Sequence, residues 1–430
     1  MWSIELAKSN GLRGEIVPPP DKSISHRAIM FSSLAEGQSV IRNFLRAEDP
    51  LSTIKAFRML GVKIAEGTSG EIVVNGKGLY GLEEPFDVVD CGNSGTTIRL
   101  LSGVLAGNPL FTILTGDDSL KKRPMARVIT PLKQMGAKIS ARGGDKYPPL
   151  AIRGSKLTPI DYVMPIASAQ VKSCVMLAGL YADGVTTIVE SQKSRDHTER
   201  MLAAMGAQID VNGLSISIKG NPKLRAVDVT VPSDFSSAAF FIAGALLVPN
   251  SDVVIRGVCM NPTRTGLLNV LAGMGAKIKI ENMSDVSGEP VADIVCNTAS
   301  TLKAVKIGGD IVPSLIDEFP ILCILASRAD GITEIRGAQE LRVKESDRIR
   351  AMATELTKLG VEVKEYDDGM DIRGNAQFKG GSVDSYGDHR IAMSLSIAAM
   401  VSDRPIVVNN AACADISFPG FYERLKGLGA

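Results

Sequence analysis

The pattern of apolar and polar residues repeats about every 70 residues along the chain. An amphipathic helical pattern such as "STIKAFRML" is followed by a short phrase, "LGVKI" at residue 60 or "MGAKI" at residue 135, and then by a strand-like alternation. The phrase occurs six times, ending with "LGA" at the end of the chain. Each glycine of the phrase is predicted to cap the C-terminus of a helix and lead into a strand: Gly61, Gly136, Gly206, Gly275, Gly360 and Gly429.

A second phrase alternates with the first and also occurs six times. In "LYADGVTTIVE" at residue 180, for example, a helix rich in small apolar residues ends in a Gly, Asn or Asp turn, and a β-branched strand begins. The helix before this turn is apolar on most faces, which is typical of a buried helix, whereas the helices of the first phrase are half exposed. One buried and one outer helix per repeat predict helices surrounded by sheets.

The repeats predict two domains of three repeats each. The sixth repeat lacks its last strands, while "SIELA" and "GEIVPPP" near the N-terminus belong to no repeat, so we expect this pair to close the sixth repeat. The predicted domains are residues 20–225, and residues 1–19 together with 226–430, with an active site in the cleft between them. The chain would cross between them near Pro18–Pro20, where the prolines fix the backbone, and near "NPKLRAV".

Composition excludes several classes of function. The 430 residues are 45% hydrophobic and 22% charged, with a net charge of +1, which disfavours nucleic acid and anionic membranes as partners. The six cysteines are scattered and are expected to be reduced core residues, and the three histidines lack metal-ligand spacing. Without a signal peptide or a membrane-length apolar run, we expect a soluble cytoplasmic protein.

The starts of the buried helices carry basic residues that capping does not explain. Each start has Ser, Asn, Asp or Gly, which cap helices. However, Lys22, Arg27, Arg99 and Arg390 stand near helix N-termini, where a cation opposes the helix dipole by roughly 0.3–1 kcal/mol. An anionic ligand bound between the cation and the helix N-terminus would make this unfavourable interaction favourable. We therefore predict a site for phosphates and carboxylates.

Further charged residues stand in turn-like segments. "SLKKRPM" contains Arg123, "KSRDH" contains Arg195, and "LRVKESDR" contains Arg348. The mixed signs of the last segment also fit an exposed helix start with a capping pattern, so that alternative stays open. Asp317 and Glu318 are carboxylates in this otherwise donor-rich set, and carboxylates that face cations suit proton transfer.

The motifs "DKSISHRA", "GNSGTTIR", "RPM", "LRVKESDR" and "GDHRIAMS" occur in the order found in one family. Over essentially its full length, the sequence resembles the 5-enolpyruvylshikimate-3-phosphate synthase family. The resemblance implies an α/β (α+β) fold, a two-domain inside-out α/β barrel of six βαβαββ units, three per domain. It also implies a monomer without cofactor or metal that transfers the enolpyruvyl group of phosphoenolpyruvate to shikimate 3-phosphate and releases phosphate.

The resemblance also implies site residues. Shikimate 3-phosphate would be contacted by Lys22, Ser23, Arg27, Ser168, Ala169, Gln170, Arg195, Asp317 and Lys344. Phosphoenolpyruvate would be contacted by Lys22, Asn93, Gly95, Thr96, Arg123, Gln170, Glu345, Arg348, His389 and Arg390. The catalytic residues would be Lys22, Asp317 and Glu345. Ile416 departs from the pattern, because members of one branch have Lys there.

Two alternatives stay open. An enolpyruvyl transferase acting on UDP-N-acetylglucosamine shares the six-unit fold, but its flexible loop carries a reactive Cys that "LTGDDSLKKRPM" lacks. A non-catalytic anion-binding module would also keep basic helix starts, although the combination of Asp317 with "KESDR" argues against it.

Overall fold

A computed structural model describes residues 2–429, in which strands and helices alternate along the chain. In chain order the elements are β1 (Ile4–Leu6), β2 (Arg13–Ile16), α1 (Lys22–Leu34), β3 (Glu36–Arg42), α2 (Glu48–Met59), β4 (Lys63–Glu66), β5 (Ile72–Lys77), β6 (Val89–Asp90), α3 (Gly95–Gly107), β7 (Phe111–Thr115), α4 (Ala126–Gln134), β8 (Lys138–Ala141), α5 (Arg142–Asp145), β9 (Tyr147–Arg153), β10 (Asp161–Val163), α6 (Ala169–Gly179), β11 (Val185–Val189), α7 (His197–Ala204), β12 (Ile209–Asn212), β13 (Ser215–Lys219), β14 (Val229–Thr230), α8 (Phe235–Leu247), β15 (Asp252–Cys259), α9 (Gly266–Gly273), β16 (Ile278–Val286), β17 (Glu289–Asn297), β18 (Lys306–Ile307), α10 (Phe319–Arg328), β19 (Ile332–Ile335), α11 (Arg348–Lys358), β20 (Val363–Tyr366), β21 (Gly369–Arg373), β22 (Gly381–Asp384), α12 (His389–Ala399), β23 (Ile406–Asn409) and α13 (Phe421–Gly427).

The chain divides into two compact units. The first unit consists of residues 20–231 and 286–288, and the second of residues 2–19, 232–285 and 289–429. The first unit extends beyond the expected residue 225 because β14 continues its sheet: Val229 and Thr230 pair in parallel with β3, and Val231 N donates to Arg42 O at 3.0 Å.

Each unit contains three sheets within the described residues; five of these six sheets share one four-stranded order, and β1-β23-β22 has three strands. In the first unit the strand orders are β14-β3-β5-β4, β6-β7-β9-β8 and β10-β11-β13-β12. In the second unit they are β16-β17-β15-β2, β18-β19-β21-β20 and β1-β23-β22. Each of these sheets contains a parallel pair and at least one antiparallel pair. The mixed α/β class predicted from the repeats is therefore confirmed.

The N-terminal strands do not act as the pair that the sequence suggested. β1 completes the sixth repeat, because Ile4 and Leu6 pair antiparallel with Val408 and Ile406. The prediction is wrong for β2, which pairs in parallel with β15 in the sheet of the fourth repeat. Its buried residue Ile16 joins the apolar core there, so burial decides the register of this strand.

The six glycines of the short repeated phrase adopt the predicted conformation. All of them have a φ angle between 81° and 105°, in the left-handed region that favours glycine. Gly61 N, for example, donates to Arg58 O at 3.1 Å at the end of α2. The prediction that each glycine ends a helix is confirmed.

The core of each unit is built on three buried helices. In the second unit these are α8, α10 and α12, which contact one another and are buried along almost their whole length. In the first unit α3 packs closely against α6, and α1 contacts α3. A β-carbon on Gly103 would lie 2.2 Å from Cys174 O, so α3 and α6 meet backbone to backbone.

Two further properties bear on the sequence predictions. Five of the six cysteines are buried, Cys413 is half-buried, and all six are free thiols. Within residues 2–429, no helix combines the length and the apolar character that crossing a membrane requires.

Substituting Gly103 by Ala should destabilise the first unit, because the new methyl group would force α3 and α6 apart. Overpacking of this kind costs about 1–3 kcal/mol. Denaturant unfolding followed by circular dichroism measures the loss. The matched control is Gly427→Ala, in α13, where a β-carbon meets no atom within 4 Å. An unfolding midpoint for Gly103→Ala equal to that of the control would contradict the close helix contact.

Candidate active site

In the first unit, the start of α1 brings a lysine beside a carboxylate. Asp21 caps the helix by accepting from Ile24 N at 2.8 Å. Lys22 is the first residue of the helix, and its Nζ lies 3.2 Å from Asp49 Oδ2. Both side chains are largely buried, with exposed fractions of 15% and 9%. Asp49 was not predicted to be near the site, because it lies in a separate helix.

Arg27, on the next turn of α1, is held by hydroxyl and carbonyl oxygens. Its Nε donates to Thr198 Oγ1 at 2.8 Å, and its guanidinium NH groups donate to Ser23 O at 3.0 Å and Ser173 Oγ at 2.9 Å. Thr198 and Ser173 are hydrogen-bonded to each other at 2.7 Å. The guanidinium group is therefore oriented by α6 and α7 as well as by its own helix.

The start of α3 lies under two guanidinium groups. A β-carbon on Gly95 would lie 2.9 Å from Arg99 Nη1 and 3.3 Å from Arg123 Nη1. Because Gly95 has no side chain, both cations can approach the first turn of the helix. Arg123 also donates to Asn93 Oδ1 at 2.6 Å. A helix N-terminus beside two guanidinium groups is an arrangement that binds phosphate or carboxylate.

The start of α6 is tied to the start of α3 through Gln170. Gln170 Oε1 accepts from Arg99 Nη1 at 2.6 Å, and its Nε2 donates to Thr96 Oγ1 at 3.0 Å. Ser168 caps α6 by accepting from Val171 N at 3.4 Å, and Ala169 is the first residue of the helix. Arg195 lies in the segment between β11 and α7 and is half-buried.

In the second unit, Arg348 forms ion pairs with three carboxylates. Its Nε lies 2.8 Å from Asp388 Oδ2, its Nη2 2.7 Å from Glu345 Oε2, and its Nη1 3.3 Å from Asp317 Oδ1. Arg348 and Asp388 are almost fully buried, whereas Asp317 and Glu345 are 16% and 21% exposed. The two more accessible carboxylates are the ones predicted to transfer protons.

Arg390 and Lys344 lie beside the same cluster. Arg390 Nη2 lies 3.4 Å from Asp317 Oδ2, and Asp388 caps α12 by accepting from Arg390 N at 3.0 Å. Lys344 Nζ lies 3.7 Å from Glu340 Oε1. His389, the first residue of α12, is buried.

Burial and charge act in opposite directions on the two central cations. Burial lowers the pKa of Lys344 from its usual value, although Glu340, Asp317 and Glu345 act to raise it. Burial also disfavours the charge of Arg348, but Asp388, Glu345 and Asp317 outweigh that effect and raise the pKa of Arg348. Arg348 is therefore a permanent cation, whereas Lys344 binds its proton less firmly than an ordinary lysine.

The interpretation of the start of α10 needs correction. We expected a capping residue at every buried helix start, but α10 begins after Glu318, which makes no side-chain capping bond. Glu318 is buried and accepts from Ser236 Oγ, so it belongs to an interior network.

Among the described residues, 2–429, no cluster of His, Cys, Asp and Glu could hold a metal ion.

Known proteins match this chain over almost its entire length. The family model for EPSP synthase (3-phosphoshikimate 1-carboxyvinyltransferase) matches residues 6–425. The chain belongs to the EPSP synthase family.

Individual relatives agree with the family assignment. Proteins named 3-phosphoshikimate 1-carboxyvinyltransferase from Thermodesulfovibrio yellowstonii and Bacillus subtilis are 56% and 51% identical to this chain. The first alignment covers 98% of this chain and 99% of the relative, and the second covers 98% of each.

Solved structures resemble the chain as well. An EPSP synthase structure from Acinetobacter baumannii matches with a TM-score of 0.87 at 45% identity, over 99% of this chain and 98% of that one. The enolpyruvyl transferase NikO from Streptomyces tendae matches with a TM-score of 0.78 at 17% identity, over 100% of this chain and 97% of that one, and shows the fold alone.

For this EPSP synthase family member, the structure groups most of the predicted site residues within each unit. In the first unit, hydrogen bonds join Asn93 to Arg123, and Gln170 to Thr96. In the second unit, one cluster contains Asp317, Glu345, Arg348 and Arg390. Their roles toward the two substrates stay predictions. Sequence reasoning did not identify Asp388, Ser173 or Thr198 as partners of the site arginines, because such partners arise from packing between repeats.

His26 lies in a hydrogen-bond chain that joins α1, α2 and α3 of the first unit, and its imidazole is held neutral. Its Nδ1 is hydrogen-bonded to Thr53 Oγ1 at 2.7 Å, and Thr53 is bonded to Thr97 Oγ1 at 2.7 Å. Burial lowers the pKa of His26 well below its usual 6.5, and the charges of Lys22 and Arg27 add to the effect. This geometry suits a hydrogen-bonding residue rather than a base.

The depressed pKa of His26 should make the protein less stable in mild acid. Below about pH 6.5 the unfolded chain binds a proton on this residue that the folded chain does not, so the free energy of unfolding falls by up to about 1.4 kcal/mol per pH unit. Denaturant unfolding between about pH 7.5 and 5 should show this slope for the unmodified protein. The slope should be smaller for His26→Asn, which keeps a polar group for Thr53. Parallel pH profiles for the two proteins would contradict the prediction.

Proposed function

We propose that this protein transfers the enolpyruvyl group of phosphoenolpyruvate to the 5-hydroxyl of shikimate 3-phosphate and releases phosphate, in the biosynthesis of chorismate and aromatic amino acids. The observation that carries the proposal is the pair of clusters described above. One places guanidinium groups over the start of α3, and the other places Asp317 and Glu345 beside Arg348. The family membership and the names of the relatives support the same reaction.

We propose that shikimate 3-phosphate binds mainly to the first unit. Lys22, Ser23 and Arg27 stand at the start of α1, and Ser168, Ala169 and Gln170 stand at the start of α6. With Arg195, these groups supply cations, hydroxyls and helix N-termini, which suit a phosphate group. Asp317 and Lys344 would contact the ring hydroxyls from the second unit.

Phosphoenolpyruvate would be held by residues from both units. From the first unit these are Lys22, Asn93, Gly95, Thr96, Arg123 and Gln170, and from the second Glu345, Arg348, His389 and Arg390. The fork of donors on a guanidinium group matches both the phosphate and the carboxylate of this substrate. Such a site would be complete only when the two units face one another.

Electrostatic repulsion between the substrates is a reason for binding them with cations from both units. Each phosphate group carries about −1.5 to −2 charges near neutral pH, and two unit charges about 7 Å apart repel by roughly 2 kcal/mol at an effective dielectric constant near 20. Cations from both units would remove this repulsion. We propose that the substrates bind in a cleft between the two units, which closes around them.

We propose proton-transfer roles for three residues. Asp317 would help to remove the proton of the 5-hydroxyl as its oxygen attacks the central carbon of phosphoenolpyruvate. Glu345 would deliver a proton to the methylene carbon, and Lys22 would assist proton transfer around the tetrahedral intermediate. The methyl carbon would then lose a proton while phosphate departs, and the carbon–carbon double bond of the enolpyruvyl group would form again. No covalent bond to the protein is required.

We also propose the finer architecture that the resemblance implies. The recurring sheets and the central helices support six βαβαββ units, three in each domain, in an inside-out α/β barrel. The exchange of β2 and β14 between the first and fourth repeats fits a chain that crosses twice between two domains. We propose further that the protein acts as a cytoplasmic monomer without a cofactor.

The choice of acceptor tests the reaction. With phosphoenolpyruvate present, shikimate 3-phosphate should support release of inorganic phosphate, whereas UDP-N-acetylglucosamine should not. A colorimetric phosphate assay with each acceptor measures the difference. Release with the UDP-sugar alone would favour the other enolpyruvyl transferase, and no release with either would favour a non-catalytic anion-binding module.

Substituting Glu345 by Gln should slow turnover, because the amide cannot deliver the proton to the methylene carbon. A positioned general acid contributes about 10²–10⁴-fold, so kcat should fall by at least about a hundredfold. Steady-state kinetics at saturating substrates measures the effect. The matched control is Glu362→Gln, an exposed carboxylate of the second unit that pairs with Arg373. Turnover of Glu345→Gln within about threefold of the unmodified protein would exclude the role, since a general acid should contribute far more.

A further inference from the structure

Lys172 forms a buried ion cluster that the proposed reaction does not use. It lies in the first turn of α6, and its side chain is completely buried. Its Nζ lies 3.1 Å from Glu190 Oε2, 2.6 Å from Glu199 Oε1 and 3.4 Å from Ser194 O. These three acceptors match the three donors of an ammonium group.

The cluster has a composition that packing alone does not require. The side chains of Glu190 and Glu199 are only 2% and 7% exposed, so two carboxylates and one ammonium group are removed from water together. Burial of ions is costly even when they are paired, and apolar residues of similar size often give an equally stable fold. The best-attested use of such buried ion clusters is to fix one local conformation.

Glu190 holds the segment that leads directly to Arg195. The carboxylate of Glu190 follows β11, and its Oε1 accepts from Ser194 N at 3.1 Å and from Ser194 Oγ. Ser194 O in turn accepts from Lys172. The residue before Arg195 is thus fixed through its amide, its hydroxyl and its carbonyl.

Glu199 holds the helix that orients Arg27. It lies in the first turn of α7, next to Thr198, whose hydroxyl accepts from Arg27 Nε at 2.8 Å. Ser173, which follows Lys172 in the chain, bonds both Arg27 and Thr198. The Lys172–Glu199 ion pair therefore joins α6 to α7 beside the residues that orient this guanidinium group.

We propose that Lys172, Glu190 and Glu199 are positioning residues for the binding of shikimate 3-phosphate. The cluster sets Arg195 through Ser194 and sets Arg27 through Thr198 and Ser173, without touching the substrate itself. This inference rests on the proposed function, since it assigns Arg27 and Arg195 to the sugar phosphate. The family resemblance assigned no role to any of these three residues.

The test uses Lys172→Met and Glu190→Ala in the full-length protein. Each should raise KM for shikimate 3-phosphate about tenfold, equivalent to about 1.4 kcal/mol of lost binding. At saturating substrate, kcat should stay within about threefold, because the lost interaction binds ground state and transition state alike. Glu190→Gln keeps an acceptor oxygen for Ser194 and should recover most of the loss. If Lys172→Met fails to fold, the KM values of Glu190→Ala and Glu190→Gln still test the proposal.

The matched control is Lys77→Met, which removes the ion pair of Lys77 with Glu83 in the same unit. Its KM should equal that of the unmodified protein, even if its melting temperature falls. A Glu190→Ala protein that is folded, less stable and unchanged in KM would overturn the proposal and leave the cluster a purely structural role. A fall in kcat with KM unchanged would overturn it equally.

A measurement without turnover separates this inference from the proposed reaction. Hydrogen exchange of the peptide that spans residues 190–199 should be about tenfold faster in Glu190→Ala, because Ser194 N loses its acceptor. Equal exchange would overturn the positioning role. If the unmodified protein neither binds nor converts shikimate 3-phosphate while exchange responds as expected, the proposed function fails and the conformational role of the cluster stands.

Discussion

Charged side chains that are buried at helix starts must find partners inside the fold, and this requirement shapes both units. Arg348 is almost completely buried, which would be strongly unfavourable without a counter-charge. Asp317, Glu345 and Asp388 supply it from the turn before α10, the turn before α11 and the start of α12. Removing one partner would leave the others uncompensated, so the residues of the cluster depend on one another.

The recurring topology explains how these partners meet. Each repeat contributes one buried helix, and the three buried helices of the second unit contact one another along apolar faces. Charged residues are absent from the middle of these three helices, and Arg390 stands at the start of one of them. In the first unit, the absence of a side chain on Gly95 lets two guanidinium groups reach the first turn of α3.

Much of this architecture could be predicted from the pattern of residues, because helix caps are local. Gly61 and its five counterparts have positive φ angles at helix ends, as the repeated phrase indicates. The partner of β2 could not be predicted in this way, since its pairing with β15 joins residues far apart in the chain. Strand pairing depends on burial of Ile16 in a core that local periodicity does not reveal.

The same distinction applies to the candidate site. Basic residues at helix starts are visible as departures from the helix dipole rule, so Lys22, Arg27 and Arg390 could be singled out. The partners of Lys22 and Arg27 could not, because Asp49 and Thr198 reach them only through packing between elements. Lys172 also stands near a helix start, but one lysine in an otherwise apolar helix does not show whether it reaches solvent or a buried carboxylate.

The central proposal is that two polyanionic substrates bind at the polar helix starts and draw the two units together. Small-angle X-ray scattering on the full-length protein, with and without saturating shikimate 3-phosphate, tests this claim most directly. The account predicts that the radius of gyration decreases when the sugar phosphate binds. A radius of gyration that stays the same, while calorimetry shows that the ligand is bound, would contradict it.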